Sequence, residues 1–323
     1  MSRNLKKIGI LIATVLLILG SLPLIGLNTA KAASTAGTDK VAIGTLKNTA
    51  GLPTLMADAN GAFSQNNVSA TVTSYDSNTE LNNAIKDGTI NVAVTDLVSY
   101  ASLVKSKANA NWKIVGTLPG YYGLVANKKY KSIKSLKGKT IAIDKNDGSK
   151  QYLLSVLKKN KMKYSSINVK QVDNEADRIS GLKDGSIDAA ILDDPSISSA
   201  KANGGKILNR QKMSADNGNI LIINKKFAKK NGSSTKILVS VINKEIGSLN
   251  KAGSYGMAGS ALNKMGYDQK GAEELTKLDI SFKKIHKVKK ADFNKAFKYA
   301  KAHKLYKGKI NYKSHVLKVK GVK

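Results

Sequence analysis

The segment Lys86-Asp87-Gly88-Thr89-Ile90-Asn91-Val92-Ala93-Val94-Thr95-Asp96 returns 97 positions later as Lys183-Asp184-Gly185-Ser186-Ile187-Asp188-Ala189-Ala190-Ile191-Leu192-Asp193. Each copy is preceded by the same succession at similar distance. An apolar strand-like run (Val41-Ala42-Ile43; Ile141-Ala142-Ile143) leads to a helical stretch, a β-rich run (68–74; 167–172) and a second helical stretch ending at Lys-Asp-Gly. Alone, Lys-Asp-Gly is a common helix terminator, its glycine taking the left-handed position after the last turn. The matched spacing of the flanking runs asks for more than capping. It describes two similar halves of a protein, each too large to be a solenoid unit. Two such halves facing each other enclose a cleft, and clefts bind small molecules.

A chain of 323 residues exceeds the usual single-domain size, so two domains with separate cores are expected. Arg3, Lys6 and Lys7 precede an apolar run over 8–27, and Ala30-Lys31-Ala32 is a small-x-small cleavage site. This is the pattern of a secretory signal over 1–32, with the mature chain beginning near Ala33. The run is also about long enough to stay as an uncleaved anchor, although Gly20, Ser21, Pro23 and Gly26 weaken that helix. No later segment is apolar enough to span a membrane. Cysteine is absent, which excludes disulfides, a thiol nucleophile, a thiolate metal site and a lipidated N-terminal cysteine.

Lysine and arginine number 54 against 22 acidic residues, a net +32, of which +28 remains beyond residue 32. Residues 281–323 hold fifteen lysines and one acid, Asp292, so half of that excess sits in the last 43 residues. Such a field attracts polyanions. Acidic envelope polymers or anionic lipid suit an exported protein; nucleic acid is not expected, since Trp112 is the sole tryptophan available for stacking.

Hydrophobic periodicity places strands at 40–45, 68–74, 91–95, 112–117 and 122–127, and again at 140–144, 168–172 and 188–192, with a return strand at 221–224. Helices fall between them, and the C-terminal part reads as helices near 234–250, 255–265, 269–278 and 291–303. Strands alternating with helices mean βαβ units and largely parallel sheets. In the last helix Phe293, Ala296, Phe297 and Ala300 share one face, a core stripe opposite lysines. The fold class is therefore α/β, two similar βαβ lobes with the chain crossing between them twice, an arrangement that can hinge. The first lobe is 33–123 with 221–323, and the second is 124–220.

Several runs, in order, carry a family likeness: Gly51-Leu52-Pro53 through Gly61-Ala62-Phe63, residues 81–96, Ile114-Val115-Gly116-Thr117-Leu118, Ser135-Leu136-Lys137-Gly138-Lys139-Thr140, Asp147-Gly148-Ser149, and 187–195. Together they resemble the type II periplasmic solute-binding proteins of ABC importers, in the branch that serves sulfonates, taurine, nitrate and thiamine-pyrimidine precursors. The likeness covers about 41–224 and weakens in the C-terminal helices. It implies a monomeric receptor outside the membrane that closes two lobes over a solute and delivers it to a permease without chemistry or cofactor. Relatives in single-membrane bacteria usually carry a lipidated cysteine and this chain has none, so either the N-terminal segment stays as an anchor, or the positive surface holds the protein to the envelope, or the protein works in a periplasm, the charge excess favouring the first two.

Ligands of parallel sheets bind beyond the carboxyl ends of the strands. The candidates are Asn48, Thr49, Thr95 and Asp96 in the first lobe, Asp147, Gly148, Ser149 and Asp193 in the second, and Tyr121 and Tyr122 near the crossing. Gly148-Ser149 opening a helix suits an oxyanion, or is an ordinary N-cap. Asp96 and Asp193 occupy equivalent places. They either cap the following helices or face the cleft, where they would repel a bare anion and accept hydrogen bonds from an amino group. The expected solute is a small organic anion or zwitterion of the aminosulfonate kind, with an amino-pyrimidine stacked on a tyrosine as the alternative. A cationic surface adhesin is the alternative of another class. An enzyme is not expected. Asp96 and Asp193 have no nucleophile signature beside them, and relatives that make the thiamine pyrimidine depend on cysteines. No metal site is expected either, because His286, His303 and His315 lie in the basic C-terminal region without metal-ligand spacing and read as solvated surface residues.

Overall fold

The repeated apolar runs become strands buried on both faces, which is why they lack polar alternation. The structure, a computed structural model, describes residues 40–267 and 269–323. The signal segment and its cleavage site lie outside the described residues. β1 (Val41–Leu46), α1 (Leu52–Ala59), β2 (Ala70–Tyr75), α2 (Asn78–Lys86), β3 (Val92–Asp96), α3 (Leu97–Leu103) and β4 (Trp112–Thr117) come first. β5 (Tyr122–Asn127), β6 (Thr140–Ile143), α4 (Gly148–Lys159), β7 (Asn168–Gln171), α5 (Glu175–Asp184), β8 (Ala189–Asp193), α6 (Ser196–Ala202) and β9 (Gly205–Arg210) follow. The chain ends with β10 (Asn219–Asn224), α7 (Lys225–Lys230), α8 (Gly232–Ala252), α9 (Gly259–Met265), α10 (Gln269–Thr276), α11 (Lys290–Ala302) and α12 (Tyr312–His315).

Two five-stranded sheets result, β2-β1-β3-β10-β4 and β7-β6-β8-β5-β9. The repeat is visible in their register: Ile43 and Gly44 pair in parallel with Val92 and Ala93, and Ile141 and Ala142 with Ala189 and Ala190. Both Lys-Asp-Gly sites also end helices, Gly88 and Gly185 taking φ of +71° and +81°. In each sheet four strands share one direction and the fifth, arriving from the other lobe, opposes them. β10 enters beside the carboxyl end of β3, Asn219 opposite Asp96, and therefore runs the other way. β5 does the same beside β8, Tyr122 opposite Asp193.

The two crossings, 118–121 and 211–218, run side by side. Leu118 N donates to Asn219 O at 2.9 Å, and Gln211 N to Tyr122 O at 2.9 Å. Gly120 is required there, since a Cβ would meet the Asn219 side-chain nitrogen at 2.2 Å.

Five elements have no counterpart in the periodicity, the four-residue α12 among them. α3 is buried along nearly its whole length and so has no polar face to reveal it. α6 is mostly serine and alanine, α7 is a single short lysine-rich turn, and β9 is a half-buried edge strand. The C-terminal helices pack on both lobes: α10 lies against α6 of the second, while α8 and α11 return to the first. α8 packs on α1, and α11 packs on α3 through Phe293 and Phe297, whose rings stack at 4.0 Å. Each such ring removed from water is worth about 1.5–3 kcal/mol.

The histidines depart from expectation. His303 is exposed, but His315 is half-buried against Tyr100, Phe293 and Phe297. His286 is half-buried between Thr117 and Asp216, with Nε2 3.1 Å from Asp216 Oδ1. Both follow from the C-terminal segment folding back onto β4, a contact invisible in local charge.

Candidate functional site

The carboxyl ends of β1, β3, β6 and β8 converge on a cavity of about 430 Å³ between the two lobes. Asn48, Tyr75, Asn78, Asp96, Asn219 and Tyr267 line it from the first lobe, and Tyr122, Asp147, Asp173, Glu175, Arg178 and Asp193 from the second. The walls touch across the gap. Asn48 Nδ2 donates to Asp193 Oδ2 at 3.0 Å, Asn78 Nδ2 to Asp147 Oδ2 at 3.3 Å, and Thr79 Oγ1 to Asp173 Oδ2 at 3.0 Å.

Of the ten residues singled out by sequence, Asn48, Asp96, Tyr122, Asp147 and Asp193 line this cavity. Asp96 both faces it and caps α3, Oδ1 accepting from Val98 N at 2.7 Å and Ser99 N at 3.1 Å and Oδ2 from Ser99 Oγ at 2.6 Å. Asp147 likewise caps α4, accepting from Ser149 N at 2.7 Å. That bond occupies the amide proposed for an oxyanion, and Ser149 is fully buried with Oγ on Asp144 O, so the capping reading describes Gly148-Ser149.

Thr49 and Tyr121 sit behind the wall, both bound to Asp194. Thr49 N and Oγ1 donate to its carbonyl, and the Tyr121 hydroxyl donates to its carboxylate at 2.7 Å. Thr95 is buried, its Oγ1 without a partner among the described residues. Gly148 borders a second interlobe cavity of about 390 Å³, which shares Asp96 and Tyr122 with the first. The Tyr122 ring lies so close to Gly148 that a Cβ there would be 3.0 Å from Cε2 and 3.1 Å from the hydroxyl.

Sequence reasoning passed over Asn78, Asp173 and Glu175. They follow β2 and β7, whose carboxyl ends face the same cavity; applying the strand-end rule to those strands as well would have found them. Tyr267, from the turn after α9, had no local signal.

The cavity is electrostatically lopsided. Burial raises the pKa of Asp96, Asp147, Glu175 and Asp193. Asp147 and Asp193 are driven furthest, by burial first and then by neighbouring carboxylates: Asp144 and Asp96 for Asp147, Glu175 and Asp147 for Asp193. Burial also pushes the Tyr122 phenol upward, so it stays a neutral donor. Among the described residues no group of three or more histidine, aspartate or glutamate side chains is disposed to hold a metal ion.

A family model described as NMT1/THI5 like matches residues 48–249. No curated protein sequence matches the chain. Similar solved structures include the alkanesulfonate-binding protein SsuA from Xanthomonas axonopodis pv. citri bound to MOPS, at TM-score 0.72 and 18% identity over 87% of this chain and 98% of that one. The periplasmic aliphatic sulphonate binding protein SsuA from Escherichia coli has TM-score 0.70 and 17% identity over 86% and 97%. The ligand-binding component of an ABC-type import system from Staphylococcus aureus, with zinc bound, has TM-score 0.70 and 15% identity over 86% and 96%. These likenesses show the fold: two α/β lobes of the type II periplasmic-binding-protein kind.

Proposed function

The chain belongs to the NMT1/THI5-like family, and on that premise we propose that it is the solute-binding receptor of an ABC importer. It works outside the cytoplasmic membrane, closes its lobes over a small organic zwitterion of the aminosulfonate kind, and delivers it to a permease. The observation that carries this reading is the 430 Å³ cavity at the strand ends, bridged across the lobes by Asn48–Asp193 and Asn78–Asp147 and backed by two adjacent crossings. A space of that size suits a small solute, and paired crossings permit hinge closure. Asn48, Asp96, Tyr122, Asp147 and Asp193 are the proposed contacts, joined by Asn78 and Glu175.

The rings of Tyr75, Tyr122 and Tyr267 on the cavity wall support an amino-pyrimidine as the second candidate. Retention at the envelope is proposed to come from the lysines of 281–323 meeting anionic envelope polymers, an attraction that salt would screen.

Thermal unfolding of the full chain against taurine, alkanesulfonates, nitrate and aminopyrimidine tests the receptor reading. A ligand at a hundred times its Kd adds about 2.7 kcal/mol, a readily measured shift. No shift with any of them, together with salt-sensitive adherence to acidic wall polymer, would favour an adhesin instead.

A further inference from the structure

The second interlobe cavity, of about 390 Å³, shares Asp96 and Tyr122 with the first and carries the opposite charge. Six acidic side chains line the first against Lys47 and Arg178. Both of those bases are engaged, Lys47 Nζ 2.7 Å from Asp76 Oδ1 and the Arg178 guanidinium 2.7 Å from the Ile191 carbonyl. The second cavity has Lys159, Arg210, Lys212 and Lys295 in its wall. Lys159 ends α4 and Arg210 ends β9, both in the second lobe, and Lys212 lies on a crossing. Lys295 comes from α11, which packs on α3 of the first lobe.

Two of the three acids beside these cations are already engaged. Asp216 is held by Lys283 Nζ at 3.2 Å, His286 Nε2 at 3.1 Å and Lys289 Nζ at 3.2 Å. Asp96 accepts three hydrogen bonds as the cap of α3. Asp292 has no partner among the described residues. Lys159, Lys212 and Lys295 are exposed, and none has an ion pair or a side-chain hydrogen bond among the described residues. Arg210 sits over the Tyr121 ring, 5.9 Å from its centroid. Gln211 adds a neutral donor, since Oε1 accepts from Tyr122 N at 2.7 Å and Nε2 has no partner among the described residues. Four cations against one unengaged acid leave an excess of about three positive charges in the cavity. Lys159 from one lobe and Lys295 from the other face the same space, and a bound anion removes their repulsion.

We propose that this second cavity binds a small multivalent oxyanion of the phosphate class, held jointly by Lys159 and Arg210 of the second lobe, Lys212 of the crossing and Lys295 of the first lobe. The site lies apart from the solute cavity, with Asp96 and Tyr122 as the shared partition, and does not depend on which solute that cavity takes. A monovalent anion leaves most of the excess unbalanced. A phosphate, with about two charges near neutrality, and pyrophosphate, with more, match it better. Lysine receives phosphate oxygens as a point charge on a flexible stem, which suits side chains reaching in from separate elements. The first cavity, walled by desolvated carboxylates, repels the same anion.

Calorimetry of the full chain with inorganic phosphate and pyrophosphate in physiological salt tests it. At that ionic strength exposed charges more than about 8 Å apart are largely screened, so the overall positive charge contributes little. One pyrophosphate per chain is expected, bound more tightly than phosphate. Lys159→Gln and Lys295→Gln, exposed positions on different lobes, should each weaken it about threefold and together about tenfold. Lys318→Gln with Lys320→Gln, the same loss of charge at exposed positions outside the cavity, should leave it unchanged. Absence of binding overturns the proposal, and so do several equivalent ions per chain or an equal loss in both double variants, which mark general attraction to the basic surface. A loss in only one of the single variants also overturns it, because the site would then belong to one lobe. These outcomes leave the receptor reading to its own solute titrations.

Discussion

His315 offers a quantitative check on how the C-terminal segment is built into the first lobe. Its Nδ1 lies 3.0 Å from the Tyr100 hydroxyl, and its ring is 5.0 Å from Phe297 and 5.6 Å from Phe293. Burial first, and then Lys113, pushes its pKa down to about 4 from the 6.5 of a free imidazole. The folded protein therefore holds a neutral ring while the unfolded chain takes up a proton. Stability from this group is complete above pH 6.5 and is lost as pH falls from 6.5 through 4. Linkage over the full shift gives about 2 kcal/mol between pH 7 and pH 5, and the ring's partial exposure reduces this to about 1 kcal/mol. Urea unfolding of the parent and of His315→Asn at both pH values isolates it. The packing loss of the variant is common to both and cancels. Asp147 and Asp193, whose raised pKa values act with the opposite sign, are also present in both proteins. The parent is expected to lose about 1 kcal/mol more than the variant on acidification. A double difference under about 0.3 kcal/mol, or one of reversed sign, refutes the burial of this histidine.

Phe293→Ala, removing a fully buried ring stacked on Phe297, should cost about 3–5 kcal/mol in urea unfolding, and a loss below about 1 kcal/mol would contradict α11 as a core helix. Gly148→Ala makes the Tyr122 ring give by a few tenths of an ångström against the new Cβ; about 1 kcal/mol of stability and roughly tenfold in solute affinity should be lost, and an unchanged calorimetric Kd would show that this placement of Tyr122 does not position the solute.

The likeness between β1-α1-β2-α2-β3 and β6-α4-β7-α5-β8 was legible because each half must repeat the same buried strands and the same turns. The eleven-residue echo ends at Asp96 and Asp193, the last residues of β3 and β8, and both reach the cavity. The side chains just before and after strand ends were harder to assign. Thr95 and Asp96 are neighbours, yet one is buried behind the sheet and the other is on the wall, because successive residues of a strand point to opposite faces. Asn48 and Thr49, in the turn after β1, also divide, one reaching Asp193 and the other Asp194.

The amino-acid sequence by itself determined the duplicated α/β architecture, the double crossing, the lysine-rich C-terminal region and the impossibility of thiol chemistry. These depend on periodicity, spacing and composition, which are properties of the chain alone. Only the tertiary structure decided the sign of the cleft. Whether Asp96, Asp147, Glu175 and Asp193 are separate surface caps or one desolvated acidic wall depends on two lobes coming together, and on Lys47 and Arg178 being engaged elsewhere when they do. Charge in a cavity is set by which partners are already taken, and no local pattern records that.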